Sequence, residues 1–202
     1  MDRTIRQIRA ATSEFVTRED NEDLRIEGYF AVFNSNYEIW DDYSESIAPG
    51  AFTDTLAGDI RALIDHDTRL VLGRTTNRTL ELRQDERGLW GSILINPNDQ
   101  EAMNLYARVK RGDVSQCSIG FNIEQETYEE NKGKVHWTIT RVKLFEVSCC
   151  TFPAYEETNI TARKHDAEEI LKRKAEGWRI RQKKRLEEIK NGTESTDDQE
   201  KD

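Results

Sequence analysis

The sequence predicts a mostly β protein, a barrel or sandwich of short strands with one good helix among them, followed by an extension. Short apolar runs with alternating side chains recur about every 8–12 residues between turn residues, which is typical of such a fold. Residues 99–111 instead have the apolar spacing of an amphipathic helix. The chain has 202 residues, the length of one domain of about 150 residues plus an extension.

The composition argues against several classes of protein. Hydrophobic residues make up 36% of the chain and charged residues 34%, so one core can form but the surface must be highly polar. No apolar run approaches the length of about 18 residues that a membrane span needs. Residues 1–4 lead into no apolar stretch, so we expect no secretory signal and an intracellular protein.

The three cysteines include an adjacent pair, Cys149 and Cys150. Three cysteines cannot build a disulfide framework, and they suit a reducing compartment. Together with Cys117 they are most simply buried small apolar residues, because no Cys or His spacing typical of a zinc site is present. We therefore expect neither a metal nor another cofactor.

Charge is distributed unevenly along the chain. The formal net charge is −9, which argues against sequence-independent nucleic-acid binding by the domain as a whole. Residues 163–190 carry +5, residues 191–202 carry −4 and residues 1–162 carry −10. We predict a β domain over 1–162, a basic amphipathic helical extension over 163–190 and a disordered acidic tail over 191–202. The basic stretch at 183–185 leaves open a nucleic-acid contact by the extension.

In the first part of the domain, turn residues separate the predicted elements. Strands are predicted at 3–16 and 24–33. Residues 37–47 are acidic and aromatic without a helical period, which indicates a loop or an irregular strand. Pro49 stands at the first position of a predicted short helix, and Gly58 ends it.

The remaining predicted strands share an apolar or alternating pattern, and they cover 60–67, 70–74, 79–84, 88–95, 114–121, 135–142 and 145–152. The helix at 99–111 has four apolar residues at i, i+3, i+4 and i+7: Ala102, Leu105, Tyr106 and Val109. Gly112 follows where a glycine commonly ends a helix. The helix therefore leads directly into the strand that starts near residue 114.

That strand carries a candidate nucleophile, Ser118. A serine hydroxyl is a weak nucleophile unless a base accepts its proton, and a neutral histidine held by a third group is such a base. His66 closes a predicted strand, where side chains open into clefts. The other two histidines suit this role less, because His136 lies inside an alternating strand and His165 lies among charges in the extension.

Glu146 is the candidate third group. It interrupts an apolar strand, where an acid is costly without a partner, and an imidazole would be a suitable partner. The residues alone also allow Ser118 to be an ordinary strand serine and Glu146 an outward residue of an edge strand. His66 could likewise be a turn histidine paired with Asp65 or Asp67. Spacing alone therefore does not establish a hydrolase.

Five sequence blocks, taken in order, resemble one protein family. They are IAPGAF at 47–52, LIDHD at 63–67, RGDVSQCSIGF at 111–121, LFEVS at 144–148 and TFPA at 151–154. In this order they resemble the tailed-phage prohead serine proteases of the HK97 type, over about residues 20–160. Several separated blocks in the right order are far more specific than any one of them.

The resemblance implies a fold similar to the herpesvirus assemblin proteases, a β-barrel surrounded by a few helices, and the activity of a serine endopeptidase. By position in the blocks, it implies Ser118 as the nucleophile, His66 as the general base and Glu146 as the third member. Gly120 would lie beside the reaction centre, where a residue without Cβ lets a substrate backbone come close. Ser115, three residues before Ser118, remains an alternative nucleophile.

The resemblance also implies substrates and partners. Such an enzyme cleaves the major capsid protein precursor or its scaffolding segment, and itself, inside the immature capsid in the host cytoplasm. The implied partners are that precursor, the portal and further copies of the chain, without membrane or nucleic acid. The alternative is a non-catalytic scaffold or capsid-binding β-barrel protein of the same fold.

We expect residues 163–202 to tether the enzyme to the assembling shell, since an amphipathic helix suits docking in a partner's groove. A solvated helix without a partner is the simpler alternative. The polar linker at 158–165 is an expected site of self-cleavage.

Overall fold

The computed structural model describes residues 7–12, 15–20 and 23–152, together with Arg179 and Lys183. The chain divides into two units, Asp2–Glu156 and Glu157–Asp202 with Met1. Arg179 and Lys183 are helical and exposed. The rest of the predicted extension and tail, and the predicted cleavage linker, lie outside the described residues.

The described part of the first unit contains eleven strands, one α-helix and one short 3-10 helix. The strands are β1 (Gln7–Thr12), β2 (Val16–Asp20), β3 (Asp23–Val32), β4 (Tyr37–Trp40), β5 (Tyr43–Ile47), β6 (Arg61–Ile64), β7 (Asp67–Arg74), β8 (Leu80–Gln84), β9 (Gly88–Ile95), β10 (Gln116–Asn131) and β11 (Lys134–Cys150). The 3-10 helix is Thr75–Asn77 and the α-helix, α1, is Gln100–Arg111. The predicted mostly β class is confirmed.

The strands form two sheets. A seven-stranded sheet has the order β1-β10-β11-β5-β4, with β6 also on β11 and β7 on β6, and a four-stranded sheet has the order β2-β3-β9-β8. Both sheets are open, unlike the closed barrel that the resemblance implies. Among the described residues, each edge strand pairs with one other strand, which holds for β1, β4 and β7 in the larger sheet and for β2 and β8 in the smaller one. In the larger sheet, β5 and β6 lie end to end along the same edge of β11, both parallel to it.

Helix α1 agrees with its prediction because its two ends are fixed by capping residues. Asp99 precedes it, and its side chain accepts hydrogen bonds from the backbone N–H groups of Glu101 and Ala102. Gly112 ends it with φ 89°, a left-handed conformation that glycine adopts without steric cost. The four predicted apolar residues are the buried ones. The cap thus sets where the chain turns toward β10.

The predicted short helix after Pro49 is wrong. Residues 49–58 form successive turns, with i to i+3 hydrogen bonds such as Thr53 N to Gly50 O at 3.0 Å and Gly58 N to Thr55 O at 2.9 Å. Gly50 has φ 86° and interrupts the helical path at its first turn. The segment still buries Phe52 completely, which stabilises the fold by roughly 1.5–3 kcal/mol.

The two longest strands, β10 and β11, form the centre of the larger sheet. Each is longer than predicted, and β11 joins two predicted strands into one. The inner face of β10 carries Cys117, Ile119, Phe121 and Ile123, all buried in the hydrophobic core. Since side chains alternate along a strand, Gln116, Ser118 and Gly120 lie on the opposite face. The predicted site residues of β10 therefore lie on the face directed away from the core.

Candidate active site

A β-bulge in β11 decides where Glu146 points. Leu144 pairs with Phe121 and Glu146 pairs with Gly120, so Phe145 is an extra residue without a partner in the register. Immediately before the bulge, Leu144 faces the core. After it, Glu146 and the even-numbered residues that follow face the other side. A bulge of this kind re-aims a side chain, and here it keeps a carboxylate out of the apolar core.

His66 lies in the tight turn between β6 and β7. Ile64 pairs with Asp67, so the loop consists of Asp65 and His66, with φ 47° and 61°. These positive values match a type I′ hairpin turn, which usually contains Asn and Gly. Non-glycine residues at positive φ cost on the order of 1–2 kcal/mol each. Strained backbone of this kind clusters at functional sites.

Hydrogen bonds to the end of β11 hold this turn in place. The backbone N–H of Asp65 donates to Cys149 O at 3.1 Å. The carboxylate of Asp65 accepts from Thr151 N at 2.8 Å and from Thr151 Oγ1 at 3.1 Å. Asp65 therefore anchors the turn and does not contact the imidazole of His66.

Asp67 has a different partner. Its carboxylate binds the Arg69 side chain, at 2.7 Å from Nη2, and the Arg69 backbone N–H, at 2.9 Å. The hydrogen bond from the Arg69 guanidinium has the largest effect on the pKa of Asp67, followed by the bond from the Arg69 backbone N–H. Together they lower that pKa to about 2. Neither acid beside His66 in the sequence is its partner.

The partner of His66 is Glu146. The distance from His66 Nδ1 to Glu146 Oε1 is 2.7 Å. Glu146 is 2% exposed, and a buried carboxylate of this kind is costly unless it is hydrogen-bonded. At neutral imidazole, Nδ1 must carry the proton in this contact, because an ionised carboxylate can only accept. His66 Nε2 is then the nitrogen that carries the lone pair.

Ser118 lies one strand away on the same face. It pairs with Ser148 of β11, while Gly120 pairs with Glu146. Directly paired residues of antiparallel strands point to the same side, so Ser118 shares a surface with the His66–Glu146 pair. Ser118 is fully buried, and its hydroxyl donates to Arg9 O at 2.9 Å. Within the part of the chain that the structure describes, this hydroxyl is bonded to β1 and not to His66.

The other two predicted site residues of this segment have different surroundings. Ser115 is exposed and lies just before β10, outside the face that carries Ser118. Gly120 lies in the middle of the sheet, paired with Ile8 of β1 and Glu146 of β11. Both edges of β10 are thus occupied at Gly120 by this chain's own strands.

One cysteine, Cys150, lies beside this pair. Cys150 Sγ is 3.9 Å from His66 Nε2. Burial, followed by nearby acidic groups and thiols, raises the pKa of the Cys150 thiol. Burial raises the pKa of Cys149 as well. A thiol nucleophile must be ionised to react, so Cys150 does not have the setting of a catalytic cysteine.

The sequence did not single out Ser148, which the structure places inside this cluster. Its hydroxyl donates to Glu146 Oε2 at 2.7 Å and accepts from the His66 backbone N–H at 3.3 Å. One signal could have found it, because Ser148 follows Glu146 at the spacing of two that puts both side chains on one face of a strand.

A separate cavity of about 360 Å³ lies on the other face of β10, lined by residues that include Arg9, Phe30, Tyr37, Glu45 and Ile119. Because Ile119 and Ser118 alternate, this cavity does not open onto the His66–Glu146 pair. Among the described residues, no group of three or more His, Cys, Asp or Glu is placed to hold a metal ion. The same residues include no helix long and apolar enough to span a membrane.

Comparison with known proteins identifies a relative. The prohead protease of Enterobacteria phage HK97 is 33% identical over 159 residues, which cover 76% of this chain and 66% of that protein. The chain therefore spans about two thirds of the length of this relative. Among solved structures, the bacteriophage T4 capsid assembly protease, gp21, matches 72% of this chain and 96% of that chain, with 11% identity and a TM-score of 0.49. A likeness at that level supports no conclusion alone.

A match to a family model identifies the family of this chain. The model described as caudovirus prohead serine protease matches residues 12–173. The match covers most of the chain and reaches past residue 160, into the predicted extension. It confirms the family resemblance that the five sequence blocks gave. The chain belongs to the caudovirus prohead serine protease family.

Proposed function

We propose that this chain is a serine endopeptidase that cleaves the capsid precursor or its scaffolding segment, and itself, inside the immature capsid. Ser118 is the nucleophile, His66 the general base and Glu146 the residue that orients the base. One observation carries this proposal above all. A buried carboxylate binds His66 Nδ1 at 2.7 Å, on the sheet face that also carries Ser118.

The His66–Glu146 contact prepares the imidazole for proton transfer. With its proton on Nδ1, the neutral ring offers the lone pair of Nε2 as an acceptor. The carboxylate fixes the ring orientation and stabilises the imidazolium formed during the reaction. Glu146 does not need to accept the proton itself.

The reaction follows from these roles. Ser118 Oγ forms a bond to the scissile carbonyl carbon, and its proton moves to His66 Nε2. The tetrahedral intermediate collapses, the C–N bond breaks and the proton passes from His66 to the leaving amine. A water then attacks the acyl-enzyme while His66 accepts its proton, which releases the acid product and restores the Ser118 hydroxyl.

Catalysis requires Ser118 to leave the contact that it makes in this structure. Its hydroxyl donates to Arg9 O and must turn toward His66 Nε2 instead. Catalytic hydrogen bonds often form only in the substrate complex. Strand β1 lies on the edge of β10 beside Ser118, so a substrate strand that pairs at this edge must displace β1.

Family membership supports the proposed substrate and location. Proteins of this family are named for the prohead, so we assign the major capsid protein precursor as the substrate and the interior of the prohead, in the host cell, as the place of action. The portal and other copies of the chain are further proposed partners. We assign catalysis to the segment 1–162. We assign tethering to the segments 163–190 and 191–202.

Removal of the extension tests the tether. A chain ending at Thr161 is expected to cleave a soluble peptide and to be incorporated poorly into precursor shells. Normal incorporation would contradict the tether. Because the family match continues to residue 173, a second chain ending there controls for loss of folding. In the 202-residue chain and in the chain ending at residue 173, which both contain the linker at 158–165, the products of self-cleavage are mapped by mass, with that linker as the expected position.

A non-catalytic scaffold of the same fold is the second candidate function. The observation in its favour is that Ser118 is fully buried and its hydroxyl is already bonded to Arg9 O. A scaffold would leave the capsid precursor uncut.

Co-expression with the cognate capsid protein separates the two functions. Intact masses of the capsid protein are compared for the wild type, Ser118→Ala and Ser115→Ala. We expect processing in the wild type and in Ser115→Ala, and none in Ser118→Ala. Processing that survives in Ser118→Ala but is lost in Ser115→Ala would move the nucleophile to Ser115. An uncut precursor with all three proteins would favour the scaffold.

A further inference from the structure

Ser148 is the polar side chain in this cluster that the proposed catalytic roles leave unused. It is fully buried, it pairs with Ser118 across the β10–β11 ladder, and it lies two residues after Glu146. We propose that Ser148 is a positioning residue, which fixes Glu146 and the His66 turn relative to each other. The inference rests on the proposed function, because it assigns Ser148 to the machinery of that reaction.

The hydrogen bonds of Ser148 join the two residues that must be aligned. Its single proton is directed to Glu146 Oε2 at 2.7 Å, while the other carboxylate oxygen, Oε1, accepts from His66 Nδ1 at 2.7 Å. The carboxylate is therefore held at both oxygens. Loss of the Ser148 hydroxyl removes one of the donors that keep the carboxylate in the plane that Nδ1 requires.

The same hydroxyl also holds the backbone of the turn. A hydroxyl has two lone pairs besides its proton, and one accepts the His66 backbone N–H at 3.3 Å. His66 has φ 61°, a conformation that a residue with a side chain retains only when its surroundings hold it. Ser148 thus contributes to keeping the imidazole in place from its backbone side.

The geometry argues against Ser148 as the nucleophile, although its Oγ is 3.4 Å from His66 Nδ1. That nitrogen carries a proton when it binds Glu146, so it cannot accept another from Ser148. A general base must be able to take the proton of the nucleophile. The lone pair of His66 is on Nε2, on the opposite side of the ring.

Kinetics of serine variants test the positioning role. The substrate is a peptide that spans the cleavage site mapped in the wild-type products. We expect Ser148→Ala to lower kcat by about 10- to 100-fold, the effect of misplacing a catalytic group by about 1 Å, with KM within about 2-fold of the wild type because the substrate itself is not contacted. Ser148→Thr retains a hydroxyl and is expected to recover most of kcat.

A matched control separates positioning from a general effect of losing a buried hydroxyl. Ser46 lies in the same sheet, is 8% exposed, and its Oγ is 2.8 Å from His136 Nε2. Ser46→Ala should leave kcat unchanged. Should Ser148→Ala fail to fold, Ser148→Cys replaces it, because a thiol has a similar size but is a weak donor, and the same loss of kcat is expected.

Two outcomes would overturn the inference. The first is a kcat for Ser148→Ala, or for Ser148→Cys, equal to that of Ser46→Ala. The second is an inactive Ser148→Ala beside an active Ser118→Ala, which would make Ser148 the nucleophile and refute the proposed function as well. The first outcome, found beside an inactive Ser118→Ala, would refute the positioning role alone.

Discussion

Two histidines of the larger sheet have opposite surroundings. His66 binds a buried carboxylate at Nδ1, and its Nε2 lies 3.9 Å from the thiol sulfur of Cys150. His136 has a serine at each ring nitrogen, with Ser44 Oγ 2.8 Å from Nδ1 and Ser46 Oγ 2.8 Å from Nε2. Both are partly buried. His66 contacts Glu146 of β11, and His136 belongs to β11.

The difference shows what makes a histidine suitable as a base. An acid at one nitrogen fixes the tautomer and stabilises the imidazolium, and the opposite nitrogen must be able to reach a substrate group. In the proposed mechanism His66 meets both conditions, because Glu146 binds its Nδ1 and its Nε2 receives the proton of Ser118. His136 meets neither, because hydroxyls can donate or accept and both of its nitrogens are engaged. His136 instead joins β5 to β11.

The largest effect on cleavage is expected from the replacement of His66. His66→Ala removes the proposed base and is expected to lower processing of the capsid precursor by at least about 10⁴-fold, since members of a triad act as a unit. The measurement is the rate of precursor cleavage. A melting temperature close to that of the wild type shows that the variant is folded. Cleavage within about 10-fold of the wild type would remove His66 from the site.

Glu146→Gln gives His66 an uncharged partner and so tests the role of the carboxylate. The amide can no longer stabilise the imidazolium, and it can hold the ring in the wrong tautomer. We expect cleavage to fall by up to about 10⁴-fold while a measurable rate remains. Glu45→Gln, at another buried glutamate of the same sheet, is the matched control and keeps its cleavage rate if it folds. Full activity of Glu146→Gln would remove Glu146 from the mechanism.

His136→Gln is expected to affect stability more than activity. The variant loses one or both serine contacts, each worth about 0.5–1.5 kcal/mol, so the melting temperature should fall by a few degrees. The cleavage rate at a temperature where the variant is folded should stay within about 2-fold of the wild type. A loss of activity as large as that of His66→Ala would contradict the division of roles between the two histidines.

The smallest effect is expected at Cys150. Burial raises the pKa of its thiol, so the protonated form persists at pH 8 and the thiolate that alkylating reagents attack is scarce. Treatment of the folded protein with iodoacetamide at pH 8 should leave cleavage unchanged. Cys150→Ala should retain activity within a few-fold. Inactivation by iodoacetamide in the wild type but not in Cys150→Ala would show that this thiol takes part.

The sequence predicted those elements whose signals are local. Helix α1 has a capping aspartate, a glycine end and an apolar stripe, and β9 has the same bounds as its prediction. The turns at 49–58 were mistaken for a helix because a favourable Pro49 and an apolar Phe52 outweighed Gly50, whose positive φ interrupts the helix. A local pattern in the sequence does not show which strands pair at the edges of a sheet. The sequence therefore could not predict that both sheets are open.

The candidate site follows the same division. The sequence indicates Glu146 as a candidate because an acid inside an apolar run needs a partner. In the structure that partner is His66. The roles of Ser118, His66 and Glu146 remain predictions. The bulge at Phe145, which turns Glu146 to the face of Ser118, depends on pairing with residues of β10 about 25 positions earlier in the chain. Ser148 was missed because one of its partners, the backbone N–H of His66, comes from another hairpin, β6–β7.

The most direct test of the central claim is labelling with a fluorophosphonate, a reagent that phosphonylates activated serines. Serine becomes activated only when a base accepts its proton. Peptide mapping by mass spectrometry then identifies the labelled residue in the wild type, in His66→Ala and in His136→Gln. The proposed site predicts a label on Ser118 in the wild type and in His136→Gln, and none in His66→Ala. A label on another serine, or a label on Ser118 that persists without His66, would contradict it.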